Sequence, residues 1–144
     1  MPSLLSSSNI RRAVPFFMVR DMEASMKFYL DGLGFTMTKK WIPRDKIEWC
    51  WLQREDVSLM LQEPRVQAKF DQKDLRGKGV SICFQCIDAL ALYHEFKSRG
   101  IEMDEPFVGN NMWVVCINDP DNYHLDFESP TDVPEGTKYS DWTK

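Results

Sequence analysis

The sequence predicts an α+β fold made of two βαβββ units, on three observations: a weak internal repeat, helix signals that recur in both copies, and strand patterns ending on the same proline. Asp21 lies 67 positions before Asp88, and each follows an apolar segment, Phe16-Phe17-Met18-Val19 and Ile82-Cys83-Phe84-Gln85-Cys86-Ile87. Each is followed by a helical pattern that closes on glycine, Gly34 after 13 residues and Gly100 after 12. Ser58-Leu59-Met60-Leu61-Gln62-Glu63-Pro64 sits 66 positions before His124-Leu125-Asp126-Phe127-Glu128-Ser129-Pro130. Recurrence at nearly the same offset, 67 and 66, marks two copies of one supersecondary unit. A unit of roughly 65 residues is marginal alone. The copies are therefore expected to share one core within a single domain of 144 residues.

In the first unit, residues 10–64, alternation predicts a strand over 13–20. Asp21 follows as an N-cap, with Met22, Met26, Tyr29, Leu30 and Leu33 at helical spacing before Gly34 ends the helix. Strands are expected over 35–41, 47–52 and 57–62, with a turn at Pro43-Arg44-Asp45 and a polar join at Arg54-Glu55-Asp56. The polar stretch 65–78 reads as a linker. The second unit, 79–130, repeats the order: a strand over 80–87, Asp88 as cap, and a helix carrying Leu90, Leu92, Tyr93 and Phe96. Gly100, a weak edge strand over 101–103, and strands over 112–117 and 123–128 follow, the last two split by the turn Asn118-Asp119-Pro120-Asp121-Asn122. Residues 131–144 form a polar tail expected to pack loosely or on a partner subunit.

Formal charge is -4 and the pI about 5.2, with basic and acidic residues interspersed. No basic stripe is present, so nucleic acid is not an expected partner. No apolar run approaches the roughly 20 residues that span a bilayer. Met1 to Asn9 lacks the apolar region of a signal peptide, and a soluble, cytoplasmic protein with no membrane partner is expected. The four cysteines, Cys50, Cys83, Cys86 and Cys116, all fall in apolar strand-like segments and read as buried free thiols. Cys83 and Cys86 have the CxxC spacing, yet on a strand that spacing points the two side chains to opposite faces, which suits neither a redox pair nor zinc.

Val19-Arg20-Asp21, a helix with Phe28-Tyr29, then Leu33-Gly34-Phe35, and Asp119-Pro120-Asp121-Asn122 before the last strand make a recognisable set. Over about residues 10–130 the chain resembles the vicinal oxygen chelate superfamily, which includes glyoxalase I, extradiol dioxygenases, fosfomycin-resistance enzymes and bleomycin-resistance proteins. Ala13-Val14-Pro15 leading into Phe16 is most similar to the bleomycin-resistance branch. The resemblance implies that the paired units form a curved mixed sheet with an open cleft. It also implies metal ligands, usually His, Gln or Glu, on the first and last strand of each unit. Those four positions fall on Val14, Met60, Val80 and Asp126, and only the last bears a group suited to a hard or borderline divalent ion. No metal, no cofactor and no catalytic residue is therefore expected.

His124 and Asp126 lie two apart on one strand and share a face. Three readings stay open: a His–Asp pair bonded to each other, polar contacts to a ligand, or two metal ligands completed by Gln62 or Glu63. His94, mid-helix, is expected in solvent. No nucleophile, base and orienter set and no glycine-rich phosphate loop is present. Val14, Met60 and Val80, with Phe16, Met18, Ile82 and Phe84, are expected to line the cleft with apolar groups. Trp49 and Trp51 share one face of a strand, and they and Trp113 either stack on a ligand or pack beneath the helices. The expected ligand-binding set is Phe16, Trp41, Trp49, Trp51, Met60, Trp113, His124 and Asp126. Asn110-Asn111 stand where bleomycin-binding relatives commonly carry Trp-Gly, which counts against bleomycin itself.

Pro15 cannot donate to a ladder and suits an edge. The resemblance implies a homodimer that exchanges this terminal strand, with clefts at the interface. The expected function is metal-free binding of a hydrophobic or amphipathic small molecule, cationic antibiotic-like compounds included. The alternative is a divergent metal-dependent lyase, transferase or dioxygenase acting on vicinal oxygens.

Overall fold

A computed structural model describes residues 9–65 and 75–144; most of the expected linker lies outside the described residues. The first half runs β1 (Phe16–Met18), α1 (Met22–Met26) continuing as a π-helical stretch (Lys27–Gly32), β2 (Thr36–Trp41), β3 (Trp49–Arg54) and β4 (Val57–Gln62). The second runs β5 (Ser81–Gln85), α2 (Ala89–Ser98), β6 (Phe107–Gly109), β7 (Met112–Asn118) and β8 (His124–Pro130), followed by α3 (Tyr139–Trp142). Two four-stranded mixed sheets result, ordered β1-β4-β3-β2 and β5-β8-β7-β6. In each the first strand runs parallel to the last and the other pairings are antiparallel. The repeat in the sequence is thus a repeat of topology, and among the described residues the strands form two open sheets and no closed barrel.

The helix starts follow from their caps. Asp21 accepts the N–H groups of Glu23 and Ala24 at 3.0 and 3.3 Å, and Asp88 accepts that of Ala91 at 3.0 Å. These contacts satisfy donors that a helix start leaves orphaned. The first helix widens before it ends, with the Leu33 N–H reaching the Phe28 carbonyl at 2.9 Å, five residues back. Gly34, at φ 77, then turns the chain in a conformation that a β-carbon would strain.

β6 forms at Phe107–Gly109 and not at the expected 101–103. Ile101 and Met103 are packed against the core instead. The turn chemistry decides the register: Asn110 and Asn111, at φ 53 and 61, make a two-residue hairpin turn between β6 and β7. The Glu135 carboxylate accepts both of their N–H groups, at 2.7 and 3.2 Å.

One hydrophobic core takes residues from both halves, among them Phe17, Val19, Tyr29 and Leu61 from the first and Phe84, Phe96, Val115 and Phe127 from the second. The hairpins clamp this arrangement reciprocally. Arg54, ending β3, donates to both Glu95 carboxylate oxygens on α2, at 2.7 and 2.9 Å, and to the Leu33 carbonyl at 2.7 Å. Asp119, after β7, accepts the Tyr29 hydroxyl at 2.7 Å. The Arg54 hydrogen bonds and charge hold the Glu95 carboxyl below the usual carboxylate range. A depressed carboxyl adds stability above its unfolded value and loses it as pH falls through the folded one. Glu95→Ala is therefore expected to cost about 1–2 kcal/mol at neutral pH, with the difference from wild type shrinking below about pH 4, read from urea unfolding at stepped pH.

Residues beyond β8 dock and do not hang loose. The Val108 N–H donates to Thr137, the Gly136 N–H to Val108 and the Tyr139 N–H to Pro106, each at 2.9 Å. The Tyr139 ring settles among Tyr93, His94 and Trp113. His94, expected in solvent, has its Nε2 3.0 Å from the Tyr139 hydroxyl. Among the described residues no helix is long and apolar enough to cross a membrane.

Candidate functional site

Burial along β3 settles which way its tryptophans face. Cys50 and Leu52 are fully buried in the core, so the alternating residues Trp49 and Trp51 lie on the opposite, open face. Register then assembles two rows of side chains across the first sheet. Phe16, Met60, Trp51 and Lys39 face one another in succession, and beside them Met18, Gln62, Trp49 and Trp41 do the same. Four strands about 4.8 Å apart make each row roughly 14 Å long. Phe16 is 43% exposed and Trp41 49%, far more than apolar residues of this size need.

The ring faces accept positive charge. Lys39 Nζ lies 5.1 Å from the Trp51 centroid and the Arg65 guanidinium 5.6 Å from that of Trp41. Polar contacts along the same face orient the Trp51 ring. The Trp51 indole N–H donates to Gln53 Oε1 at 3.4 Å, and that oxygen also accepts the Ser58 hydroxyl at 2.5 Å.

Trp113 does not join this surface. It faces the core from β7, 5% exposed, with its ring 5.3 Å from Trp142 and 6.2 Å from Tyr139. Its cross-strand partners Val108 and Ser129 are themselves buried, so the strand's parity places Trp113, Val115 and Ile117 inward. Ile82 and Phe84 also depart from expectation. Phe84 is buried and stacks on Phe127 at 4.6 Å, and Ile82, two residues away, shares its side of β5.

The reason is a one-residue change in the repeat offset. Phe17 pairs with Leu61 and Phe84 with Phe127, so the first strands are offset by 67 and the last by 66. A slip of one residue moves a whole strand pattern to the other face. The counterparts of Phe16 and Met18 are therefore Cys83 and Gln85, and that of Val14 is Ser81. Val80 lies outside β5 and is 60% exposed.

The open face of the second sheet is polar. His124 and Asp126 share it on β8, as their spacing predicts, with Glu128 beside them, but His124 and Asp126 are each engaged across a strand and not with each other. His124 Nδ1 lies 2.6 Å from Asn118 Oδ1. Asp126 accepts the Ser81 hydroxyl and has the Cys83 thiol 4.0 Å away. Cys83 and Cys116, read from sequence as buried, are both exposed on this face beside Asp126. Burial and then the Asp126 carboxylate push the Cys116 thiol up to about 12; burial with Glu128 and Asp126 raises that of Cys83. Both stay protonated at neutral pH, which suits neither a nucleophile nor a thiolate ligand.

The donor set does not fit a resident divalent ion. Val14, Met60, Ser81 and Asp126 offer a hydrocarbon, a thioether, a hydroxyl already donated to the carboxylate, and one carboxylate. Glu63 caps α1 through the Met22 N–H at 2.7 Å and pairs with Lys46. Gln62 stands in the aromatic row. Among the described residues no group of three or more His, Cys, Asp or Glu side chains is placed to hold a metal ion.

Two repeated βαβββ units with open sheet faces define a protein of the glyoxalase fold. The family model described as Glyoxalase/Bleomycin resistance protein/Dioxygenase superfamily matches residues 11–127, and the chain belongs to that superfamily. Among solved structures, a bleomycin resistance determinant encoded on the transposon Tn5 is similar at 23% identity and TM-score 0.65, over 83% of this chain and 97% of that one. TnmS3, an antibiotic binding protein from Streptomyces sp. CB03234, is 20% identical with TM-score 0.62, over 86% and 99%. A glyoxalase/bleomycin resistance protein/dioxygenase from Nocardioides is 17% identical with TM-score 0.64, over 90% of both chains. At these identities the likeness establishes the fold. No curated protein matches the chain.

Proposed function

We propose that the protein is a metal-free binder of a hydrophobic or amphipathic small molecule, including cationic, antibiotic-like compounds, held against the aromatic face of its first sheet. The observation that carries this reading is the pair of rows Phe16–Met60–Trp51 and Met18–Gln62–Trp49–Trp41, apolar but for Gln62, with Phe16 and Trp41 exposed and the rest half-buried, on the face where the superfamily places metal chemistry. Stacking and burial supply the affinity, and the neighbouring Lys39 and Arg65 show how a cation sits over these rings. The Tn5 bleomycin resistance determinant and TnmS3, an antibiotic binding protein, support a binding role on this fold.

We further propose a homodimer that exchanges β1, so that a second copy covers each aromatic face and His124 and Asp126 give a ligand its polar orientation. β1 is a three-residue strand at a sheet edge whose one strand partner among the described residues is β4, and exchange of such an element costs little. Light scattering is expected to report twice the 16.9 kDa chain mass.

The test treats the protein with chelator, titrates Ni(II), Zn(II), Mn(II) and Fe(II) by calorimetry, and then screens aromatic and cationic compounds by tryptophan fluorescence. The expected result is no tight metal binding and saturable quenching by compounds of this class, two per dimer. One tightly held ion per site, lost in His124→Ala, would replace this reading with a metal-dependent enzyme acting on vicinal oxygens.

A further inference from the structure

The pseudo-symmetry of the two units has one conspicuous breach. Phe17 on β1 and Phe84 on β5 occupy equivalent places, opposite Leu61 and Phe127. Tyr123 and Val57 are also equivalent, each immediately before a residue of the matched pair Ser58 and His124. Tyr123 lays its ring on Phe17 with centroids 4.2 Å apart. Its hydroxyl donates to the Met18 carbonyl at 3.1 Å and accepts the Met18 N–H at 3.2 Å, closing the free edge of β1 with a phenol.

Val57 has neither ring nor hydroxyl. At its side of the molecule a cavity of about 500 Å³ opens between the β3–β4 turn and α2, lined by Phe35, Val57, Phe84, Gln85, Phe96 and Phe127. β5 is an edge strand, and the Cys86 N–H goes to Glu128 of β8 at 2.8 Å. Alternation in a parallel ladder turns the N–H and C=O of the preceding residue, Gln85, away from β8. Gln85 is the counterpart of Met18, so the two backbone groups that a phenol satisfies on β1 recur here beside an open, aromatic-lined space. Glu55, Asp56 and Asp88 also line that space, while its one arginine, Arg54, is committed to Glu95.

We propose that this cavity is a second ligand site and that it takes phenols, neutral or cationic. The ring lies against Phe84 and the hydroxyl bridges the Gln85 N–H and C=O, as Tyr123 does at Phe17 and Met18. The volume falls in the range of small-molecule sites and leaves room for a second ring. The acidic rim disfavours a phenol that also carries a carboxylate. The site lies on the core side of the second sheet, apart from the aromatic face of the first, and does not depend on the function proposed for that face.

The test follows amide and methyl NMR signals as p-cresol, tyramine, 4-hydroxyphenylacetate and toluene are titrated into the whole protein. p-Cresol and tyramine are expected to shift the Gln85 amide and the Val57 methyls saturably. Toluene, which lacks the hydroxyl, and the carboxylate compound are each expected to bind about tenfold more weakly. Val57→Tyr places the chain's own phenol in the space and is expected to abolish p-cresol binding, whereas Trp51→Ala leaves it unchanged. The proposal is overturned if Gln85 shows no saturable shift, if toluene binds as well as p-cresol, or if folded Val57→Tyr still binds. Loss of p-cresol binding in Trp51→Ala overturns it too, by moving the site to the open face. Should Val57→Tyr not fold, the wild-type Gln85 shift and the toluene comparison decide the matter alone.

Discussion

Asp119→Ala is expected to destabilise the fold by about 3–5 kcal/mol, the cost of stripping a buried, hydrogen-bonded network of its central acceptor. Asp119 is 4% exposed. One carboxylate oxygen accepts the N–H groups of Asp121 and Tyr123 at 2.9 and 2.8 Å; the other accepts the hydroxyl of fully buried Tyr29 at 2.7 Å. The substitution orphans all three donors and releases the turn that holds Tyr123 on Phe17. It acts where one unit grips the other, so both units should melt together. Tyr29→Phe breaks the link from the opposite side, leaving the turn intact, and is expected to cost about 1–2 kcal/mol. A double-mutant cycle by urea unfolding separates the shared bond from the turn contacts; additive losses would show that the Tyr29–Asp119 bond contributes nothing.

The same residue gives a pH signature opposite to that of Glu95. Burial raises the Asp119 carboxyl above its ordinary value, more than the hydrogen bonds from Tyr29, Tyr123 and Asp121 lower it. An acid with a raised folded pKa takes up its proton first in the native state, so acidification from that value down towards the unfolded one stabilises the fold. Asp119→Asn keeps the shape, accepts the turn N–H groups, and removes the titration. Relative to this variant, wild type is expected to gain stability as pH falls towards about 4, whereas the Glu95 contribution fades only on further acidification below that. Burial also raises the Tyr29 hydroxyl well above its usual range, so it stays a donor throughout.

How far these features could be read in advance depends on what fixes each of them. Asp21 and Asp88 cap helices through neighbours two or three residues away, and local spacing was enough to place both. The order βαβββ was legible twice because each unit repeats it in full. Sidedness was not, because it is a property of pairing. The offset is 67 at Phe17 and Phe84 but 66 at Leu61 and Phe127, and that single residue carried Ile82 and Phe84 from an expected cleft to the core. The faces of Trp49, Trp51 and Trp113 were undecided for the same reason: alternation shows which residues share a side, and only the burial of Cys50, Leu52 and Val115 says which side is inside. The partners of His124 and Asp126 lie across strands, at Asn118 and Ser81, where sequence spacing carries no information about contact.

Trp51 and Trp113 turn that distinction into opposite expected phenotypes for the same substitution. Trp113→Ala removes a side chain 5% exposed that is packed edge-on to Trp142, and is expected to cost about 3–5 kcal/mol of stability. Its effect on ligand affinity, measured where the variant stays folded, should be slight, because the ring lies on the core side of β7. Trp51→Ala empties the centre of the row that joins Phe16 and Met60 to Lys39 on an open face. Trp51 is only half-buried, so its loss should cost about 1–2 kcal/mol of stability, less than that of Trp113, yet a compound that quenches the wild-type protein should bind about 10- to 100-fold more weakly. Matched urea unfolding and fluorescence titrations on the two variants make the comparison. If Trp51→Ala keeps full affinity for such a compound while Trp113→Ala, still folded, loses it, the aromatic face is not where the ligand sits, since the Trp113 ring lies on the core side of β7.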